Sequence, residues 1–484
     1  MLWSRSRSRL RLISEVKIVP TIFKDQYGQP LVADFPDEQE MYIDPEYANY
    51  YAHAKLRTLG LTTMHYRDCI KRIRRDANLP SFSKMKTADD DWHNRVASVL
   101  LPVFETPILK SHIPAVKTLP IIPLGDHRWT SMLDGAVYFP DTDGMPIPSD
   151  LGLRLVDSKA SSNSTRKKLF AELGVVDVSA EKIRKLILEK HKKHWDKITL
   201  KSSVDHLHYL YWTRKNFPDP RLRVSARFCL FNEQNVSVDG DHDVYFQAEE
   251  KYGIQEFLRP ALEEHLGSDA FGSFINNKYF ILAPGIKEKY VTFFFEHWLK
   301  FYVQILRAPR LNDPKDPFKL SNICSYIIEK DPKNLLGTLR AHWSEYQYHI
   351  NYELIKKLSE VVIPCTNIGQ RELRRTFLPL KELEICCSEF LEPQLFPFLV
   401  LDGASTVEEW KFLEMFGVGA KNGVHFCLEI LRRFKENRLS FSYKIYEEIQ
   451  RKVWASTDSN SDIQCVQYAK LDLLFDLVLD LKLT

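Results

Sequence analysis

Five prolines, at positions 102, 107, 114, 120 and 123, fall within 22 consecutive residues. Each fixes its own φ, lacks an amide donor and clashes with the preceding helical turn, so no continuous helix can cross this stretch. The middle of the N-terminal half must therefore be assembled from short pieces. On its N-terminal side, residues 92–101 (WHNRVASVLL) have helical spacing. On its C-terminal side, Leu119 to Pro140 reads as a β meander, with turns at Gly125-Asp126 and Asp134-Gly135 and strands around Trp129 and Ala136–Phe139. Trp129, Tyr138 and Phe139 are expected to be structural, packing this meander on helices within 163–195.

From Asn163 the period changes to that of a helix. Leu169, Phe170 and Leu173 form an apolar stripe closed by Gly174. Ser179 is placed to cap a second helix carrying Ile183, Leu186, Ile187 and His191. A looser β-containing stretch follows over Arg221–Ile281, and helices dominate from Lys289. Leu336, Leu339, Trp343, Tyr346, Ile350, Leu354 and Leu358 repeat at three and four, which predicts one long amphipathic helix. Ser405 and Glu408 form a capping box ahead of Trp410, Leu413 and Phe416, and Phe441–Trp454 gives a further helix. The fold class is α+β and multi-unit, a mixed N-terminal part with a β meander and a helix-rich C-terminal half. The expected organisation is a basic disordered tail over 1–17, a mixed unit over 18–107, and a meander with a helical hairpin over 108–215. An α+β unit over 216–310 and a mainly helical unit over 311–484 complete it.

The 484 residues, 44% of them apolar, supply enough core without disulfide or metal staples. Eight cysteines with no CxxC pair and no secretory signal point to an intracellular location, cytoplasmic or nuclear. Arg5, Arg7, Arg9 and Arg11 are spaced by two, which scatters them around a helix instead of gathering them on one face, so a mitochondrial presequence is disfavoured. The most apolar long stretch, Tyr290–Leu306, is interrupted by Glu296, His297 and Lys300 and is not expected to span a membrane. Leu471–Leu483 (LDLLFDLVLDLKL) is apolar on too many sides for a surface helix. It is expected to need cover, as in a shortened gene product.

A net charge of +3 excludes a global preference for nucleic acid or acidic membrane. One local exception is 154–201, where thirteen Lys and Arg face six Asp and Glu. Such a stripe could neutralise phosphates. The glycine-rich run Gly417-Val418-Gly419-Ala420-Lys421-Asn422-Gly423 has the wrong spacing for a P-loop and reads as an interhelical turn. Asp150-Leu151-Gly152-Leu153-Arg154 starts like the adenine-reading DxGxG element but has Arg154 where the second glycine belongs. His191 and His194 form HxxH, with His206 and His208 nearby, yet no acidic or cysteine ligand is grouped beside them, and no zinc is expected. Asp239–Asp243 alternates acids but is read as a solvated turn, not a calcium loop. Pro140-Asp141 with Asp157-Ser158-Lys159 echoes a magnesium nuclease pattern, although its first aspartate sits in a turn. No catalytic, cofactor-binding or metal-binding residue is assigned.

Several segments, in order, resemble one family. These are Trp92-His93 with Arg95-Val96-Ala97, the Leu119–Pro140 segment with Ile147-Pro148, and Leu153–Asp157. Further on come Leu169–Gly174, Ile187–His191, Leu335–Trp343 (LLGTLRAHW), Leu378–Leu380 and Trp410–Gly419 (WKFLEMFGVG). Over roughly 18–455 the chain is similar to large, mostly fungal proteins related to the plant protein No Vein and, more distantly, to sacsin. Those carry a GHKL-type, heat-shock-chaperone-like ATPase module upstream of a long α/β region. The motifs of that module are missing here, so no catalytic residue of the family maps onto this chain. The resemblance implies a non-catalytic interaction or scaffold region without cofactor, working with protein partners or a separate ATPase module. The alternative is a nucleic-acid-associated protein using the 154–201 stripe.

Overall fold

The computed structural model describes residues 10–24, 50–79, 83–217, 227–238, 242–247, 249–265, 271–281, 294–366, 368–401 and 406–437, with short pieces elsewhere. It divides into two units, Met1–Phe228 and Cys229–Thr484. Both mix helices with strand pairs, and the architecture is α+β as the sequence pattern indicates.

In the first unit β1 (Leu2–Trp3) pairs antiparallel with β2 (Leu10–Arg11), and β3 (Lys17–Ile18) pairs parallel with β4 (Thr62–Thr63). Residues expected as a free tail are thus part of the fold. Val16 and Ile18 are apolar and adjoin a strand, and they bury against Ile43 and Leu61. Helices α1 (Tyr50–Thr58), α2 (Tyr66–Ala77), α3 (Lys84–Thr87) and α4 (Asp90–Leu100) follow. The carboxylate of Asp76, buried at the end of α2, accepts from Ser83 Oγ and from the amides of Lys84 and Met85, which holds the start of α3. Asp89 caps α4 by accepting from the Trp92 amide at 2.8 Å.

The prolines do what their chemistry dictates, but they do not mark a domain boundary. Pro102 opens α5 (Pro102–Glu105), Pro107 opens a 3₁₀ turn, and Pro114 sits in the first turn of α6 (Ile113–Lys117). One core runs through both sides of the stretch, from Val19 and Trp92 to Val137, Phe170 and Val175. Apolar residues between the prolines, Val103, Val116 and Ile122, belong to that core, which is why the expected break at 107 is absent.

The meander is half formed. β5 (Ile122–Pro123) and β6 (Trp129–Thr130) make an antiparallel hairpin. The expected strand at 136–139 is instead single-residue bridging, in which Tyr138 meets Leu155 and Val176. Gly135, with φ of 118°, turns the chain before a ladder can extend. A short hairpin of β7 (Asp141–Thr142) and β8 (Met145–Pro146) comes next. Phe139 is buried, whereas Trp129 is half-buried and stacks on His93 of α4 with ring centroids 4.9 Å apart. Helices α7 (Ser158–Ser162), α8 (Ser164–Leu173), α9 (Ala180–Lys193) and α10 (Leu200–Trp212) complete the unit. Gly174 ends α8 and Ser179 caps α9, both as read from the sequence.

The second unit opens with the hairpin of β9 (Leu230–Phe231) and β10 (Ser237–Val238). It continues with β11 (Val244–Tyr245), α11 (Ile254–Glu264) and β12 (Ser273–Phe274), the last parallel to β11. The expected long helix over 336–358 is three helices. After α12 (Asn322–Lys330) come α13 (Pro332–Ala341), α14 (Trp343–Tyr346) and α15 (Tyr352–Ser359). The periodicity survives because apolar residues of all three reach one core, but His342 leaves helical backbone and Asn351 caps α15 by accepting from the Leu354 amide. A hairpin of β13 (Val362–Cys365) and β14 (Gly369–Glu372), then α16 (Lys381–Ser388) and α17 (Val424–Glu436), finish the unit. Trp410, Leu413 and Phe416 lie on a 3₁₀ helix and are buried. Ser405, most of 441–454 and all of 471–483 lie outside the described residues. Among the described residues no helix is long and apolar enough to cross a membrane.

α17 carries a buried ion pair. Glu429 and Arg433 are 1% and 3% exposed, Nε of Arg433 donates to Glu429 at 2.8 Å, and Nη1 reaches Glu436 at 2.8 Å. Removing one partner of a buried pair costs up to about 3–5 kcal/mol, here lessened for Arg433 by the Glu436 contact, whereas replacing both with apolar groups is often neutral. Glu429→Ala is therefore expected to lower amide-exchange protection of α17 strongly, and Glu429→Met with Arg433→Met to restore most of it. Unchanged protection in Glu429→Ala would remove the pair from the list of ties.

Candidate functional site

Three residues that sequence patterns assign to separate chemistries meet in the first unit. Asp150 sits in the 3₁₀ turn Ser149–Leu151, His191 in the last turn of α9 and His206 in the second turn of α10. His191 follows Ile183 and Ile187 at four-residue intervals on the buried stripe of α9, so its ring must point inward. His206 is equally buried. Nε2 of His206 lies 3.0 Å from Oδ1 of Asp150, and Nδ1 of His206 lies 3.0 Å from Nε2 of His191. The ammonium of Lys190 donates to Oδ2 of Asp150 at 2.7 Å, and Ser202 adds a side-chain hydrogen bond to the same carboxylate. Asp150, half-buried, is held well below the usual carboxylate range. Its burial alone would raise it, but hydrogen bonds from His206 and Lys190 outweigh that.

An aspartate that orients a histidine is half of a hydrolytic relay. The third position of such a relay is a nucleophile open to substrate. Here it is His191, fully buried, with its ring stacked on Phe228 at 3.6 Å. Nε2 of His191 and Nδ1 of His206 share one hydrogen bond, and the His191 ring lies against the Phe228 face. The arrangement fixes α9, α10 and the 149–151 turn to one another. Both nitrogens of His206 and Nε2 of His191 are engaged in these hydrogen bonds. His194, by contrast, is exposed at the end of α9. No group of His, Cys, Asp and Glu among the described residues is arranged to hold a metal ion.

The basic stripe is partly taken up by the fold. Buried Arg166 pairs with Asp90 at 2.9 Å, and buried Arg184 donates to the Leu210 carbonyl and to Thr213 Oγ1. Lys190 is on Asp150, Arg154 donates to Thr130, and Lys159 and Lys168 pair with Asp90 and Glu105. Lys182 reaches the Tyr138 hydroxyl at 3.1 Å. Nine of the thirteen cations stay exposed, four of them, Lys192, Lys193, Lys197 and Lys201, around the end of α9 and the start of α10.

The other motifs resolve into packing. Gly417 adopts φ of 85° at the end of the 3₁₀ helix, and a Cβ on Gly419 would drive into the Phe377 ring, so these glycines serve a tight interhelical turn. Asp157 caps α7 by accepting from the Ala160 amide, and Lys159 turns to Asp90, so the nuclease-like residues are engaged elsewhere. Glu250 stands twelve along from Asp239, where an EF-hand carries its glutamate, but Val244 takes the sixth place, where that loop turns on glycine. Asp243 is bidentate with Arg310, and Glu250 faces Arg307. Residues 239–241 lie outside the described residues. A cleft of about 760 Å³ lined by Lys24, Asp89, Asp91, Asn94 and Arg95 borders the outer face of α4.

No family model, no curated protein and no solved structure matches this chain.

The buried rings make the first unit sensitive to acid. Burial drives His191 far below the ordinary histidine value, with the neighbouring His206 adding to the effect. Burial likewise drives His93 from 6.5 to about 4, helped by Arg166. Both rings bind fewer protons folded than unfolded at mildly acidic pH. Their contribution is present above about pH 6.5 and is lost as pH falls from there toward the folded values, at up to about 1.4 kcal/mol per pH unit per ring. Exchange protection of α9 and α10, corrected for intrinsic rates, is expected to fall between pH 7 and pH 5 and to fall less steeply in His191→Phe. A flat profile in the unmodified protein would contradict the burial argument.

Proposed function

We propose that this chain is a non-catalytic interaction or scaffold module, equivalent to the region downstream of the ATPase module in the No Vein-like, sacsin-related proteins and without that module. It works inside the cell, with protein partners or a separate ATPase module, and takes no nucleotide of its own.

The observation that carries this reading is an exposed aromatic group in the second unit. Phe318, Tyr348 and Tyr352 are 57%, 80% and 75% exposed, although the units around them are well packed. They are held close together, because Asn351 Nδ2 donates to the Pro317 carbonyl and Lys357 Nζ to that of Phe318. Rigidly placed, solvent-facing aromatics are the anchors that protein interfaces favour. The motif resemblance supplies the family context.

Calorimetry with Mg-ATP at tens of micromolar protein is expected to give no specific heat, and a phosphate-release assay no turnover above a buffer blank. Specific ATP binding near a micromolar Kd would overturn the non-catalytic reading.

A further inference from the structure

With Arg154, Arg166, Arg184 and Lys190 taken up by the fold, four of the nine lysines of 154–201 that stay exposed lie around one turn. Lys192 and Lys193 lie in the last turn of α9, Lys197 in the 3₁₀ turn Trp195–Lys197, and Lys201 in the first turn of α10. All four are exposed. The acids close in sequence are Glu189, which faces Lys193 at 3.7 Å, exposed Asp196, and Asp205 one turn after Lys201. Between the lysines stands Trp195, 57% exposed. The spacing from Ile183 and Ile187 would carry it inward if α9 continued, but α9 ends at Lys193 and the backbone turns at His194. The indole is thus carried outward onto the lysine corner. Lys192 and Lys193 complement the helix end they occupy, whereas Lys201 sits at the positive end of α10, whose first turn carries no acid. That placement has a local electrostatic cost, which Asp205 partly offsets.

We infer that this corner docks an acidic segment of a partner protein that sets at least one apolar side chain against Trp195. The inference rests on the interaction-module reading above and names the chemistry of one partner. Charge complementarity selects an anionic occupant, and the indole selects one that also has apolar groups. Two features favour a peptide over nucleic acid. The remaining cations are lysines, point charges without the guanidinium fork suited to phosphate. A single exposed aromatic offers no succession of platforms for unstacked bases.

The test uses the full chain and three fluorescent probes. These are a synthetic peptide of glutamate and aspartate interrupted by two leucines, the same peptide with glutamine and asparagine, and a thymidine oligonucleotide. The acidic peptide is expected to bind in the micromolar range and to weaken severalfold on raising salt from about 50 to about 500 mM. Lys197→Glu with Lys201→Glu is expected to weaken it at least about tenfold, and Trp195→Ala by roughly tenfold, with melting unchanged because these side chains are exposed. The inference fails if the neutral peptide binds as well as the acidic one, if the variants leave binding unchanged, or if the oligonucleotide binds more tightly through the same residues. The interaction-module reading would survive the first two results, since it falls on ATP binding, whereas tighter oligonucleotide binding through these residues would favour the nucleic-acid alternative over it.

Discussion

A half-buried carboxylate organises the C-terminal part of the first unit. Asp150 loses much of its hydration in the fold, and an unpaired carboxylate in that position would cost several kcal/mol. Donors from two helices offset the loss, Lys190 from α9 and His206 and Ser202 from α10. Because each donor must lie within hydrogen-bond reach of one small group, the two helices and the 149–151 turn are fixed together. His191 extends the constraint, since its ring must lie edge-on to His206 and face-on to Phe228 at once.

Buried or half-buried ion pairs and carboxylate hydrogen bonds recur in both units. Asp76 fixes the start of α3, and Asp90 joins α4 to α8 through Arg166. In the second unit Arg310 is bound to Asp243 through both carboxylate oxygens, and Arg433 to Glu429 within α17. Strand pairs are too short to do this work, most of them two residues long. Where ladders are brief, polar ties between loops and helix ends carry the specificity that a longer sheet would supply. The apolar core contributes most of the burial, but it is these ties that fix which segment lies against which.

Local features were legible in the sequence and long-range ones were not. Gly174 and Ser179 declare the end of α8 and the start of α9 through backbone geometry and side-chain capping, which neighbours decide. The buried phase of α9 was equally plain from Ile183, Ile187 and His191. The long periodic stretch over 336–358 misled because one core can be reached by three short helices with the same spacing. What breaks them is capping by Asn351 and the backbone at His342, not a change of period. The prolines misled in the other direction. They interrupt helices, as their chemistry requires, but the apolar residues between them join a single core. The Asp150–His206 contact spans 56 positions, and no spacing rule encodes it. A buried histidine on an apolar stripe was the one available signal that a polar partner had to exist.

Charge counting fails for a related reason. Along α9 a lysine at 190 and lysines at 192 and 193 add equally to a local sum, yet each residue advances about 100° around the helix. Lys190 is turned onto Asp150 and is only 21% exposed, while Lys192 and Lys193 face outward. The arginines divide even more sharply, because the planar guanidinium can satisfy several carbonyl and carboxylate acceptors when buried. Arg166 and Arg184 do so, and the ammonium of a lysine is better left in water. A stretch with seven excess positive charges is thereby sorted into an interior set that holds helices together and an exterior set, part of which lies around Trp195. Only the exterior set can meet another molecule, and its size is set by helical phase, not by composition.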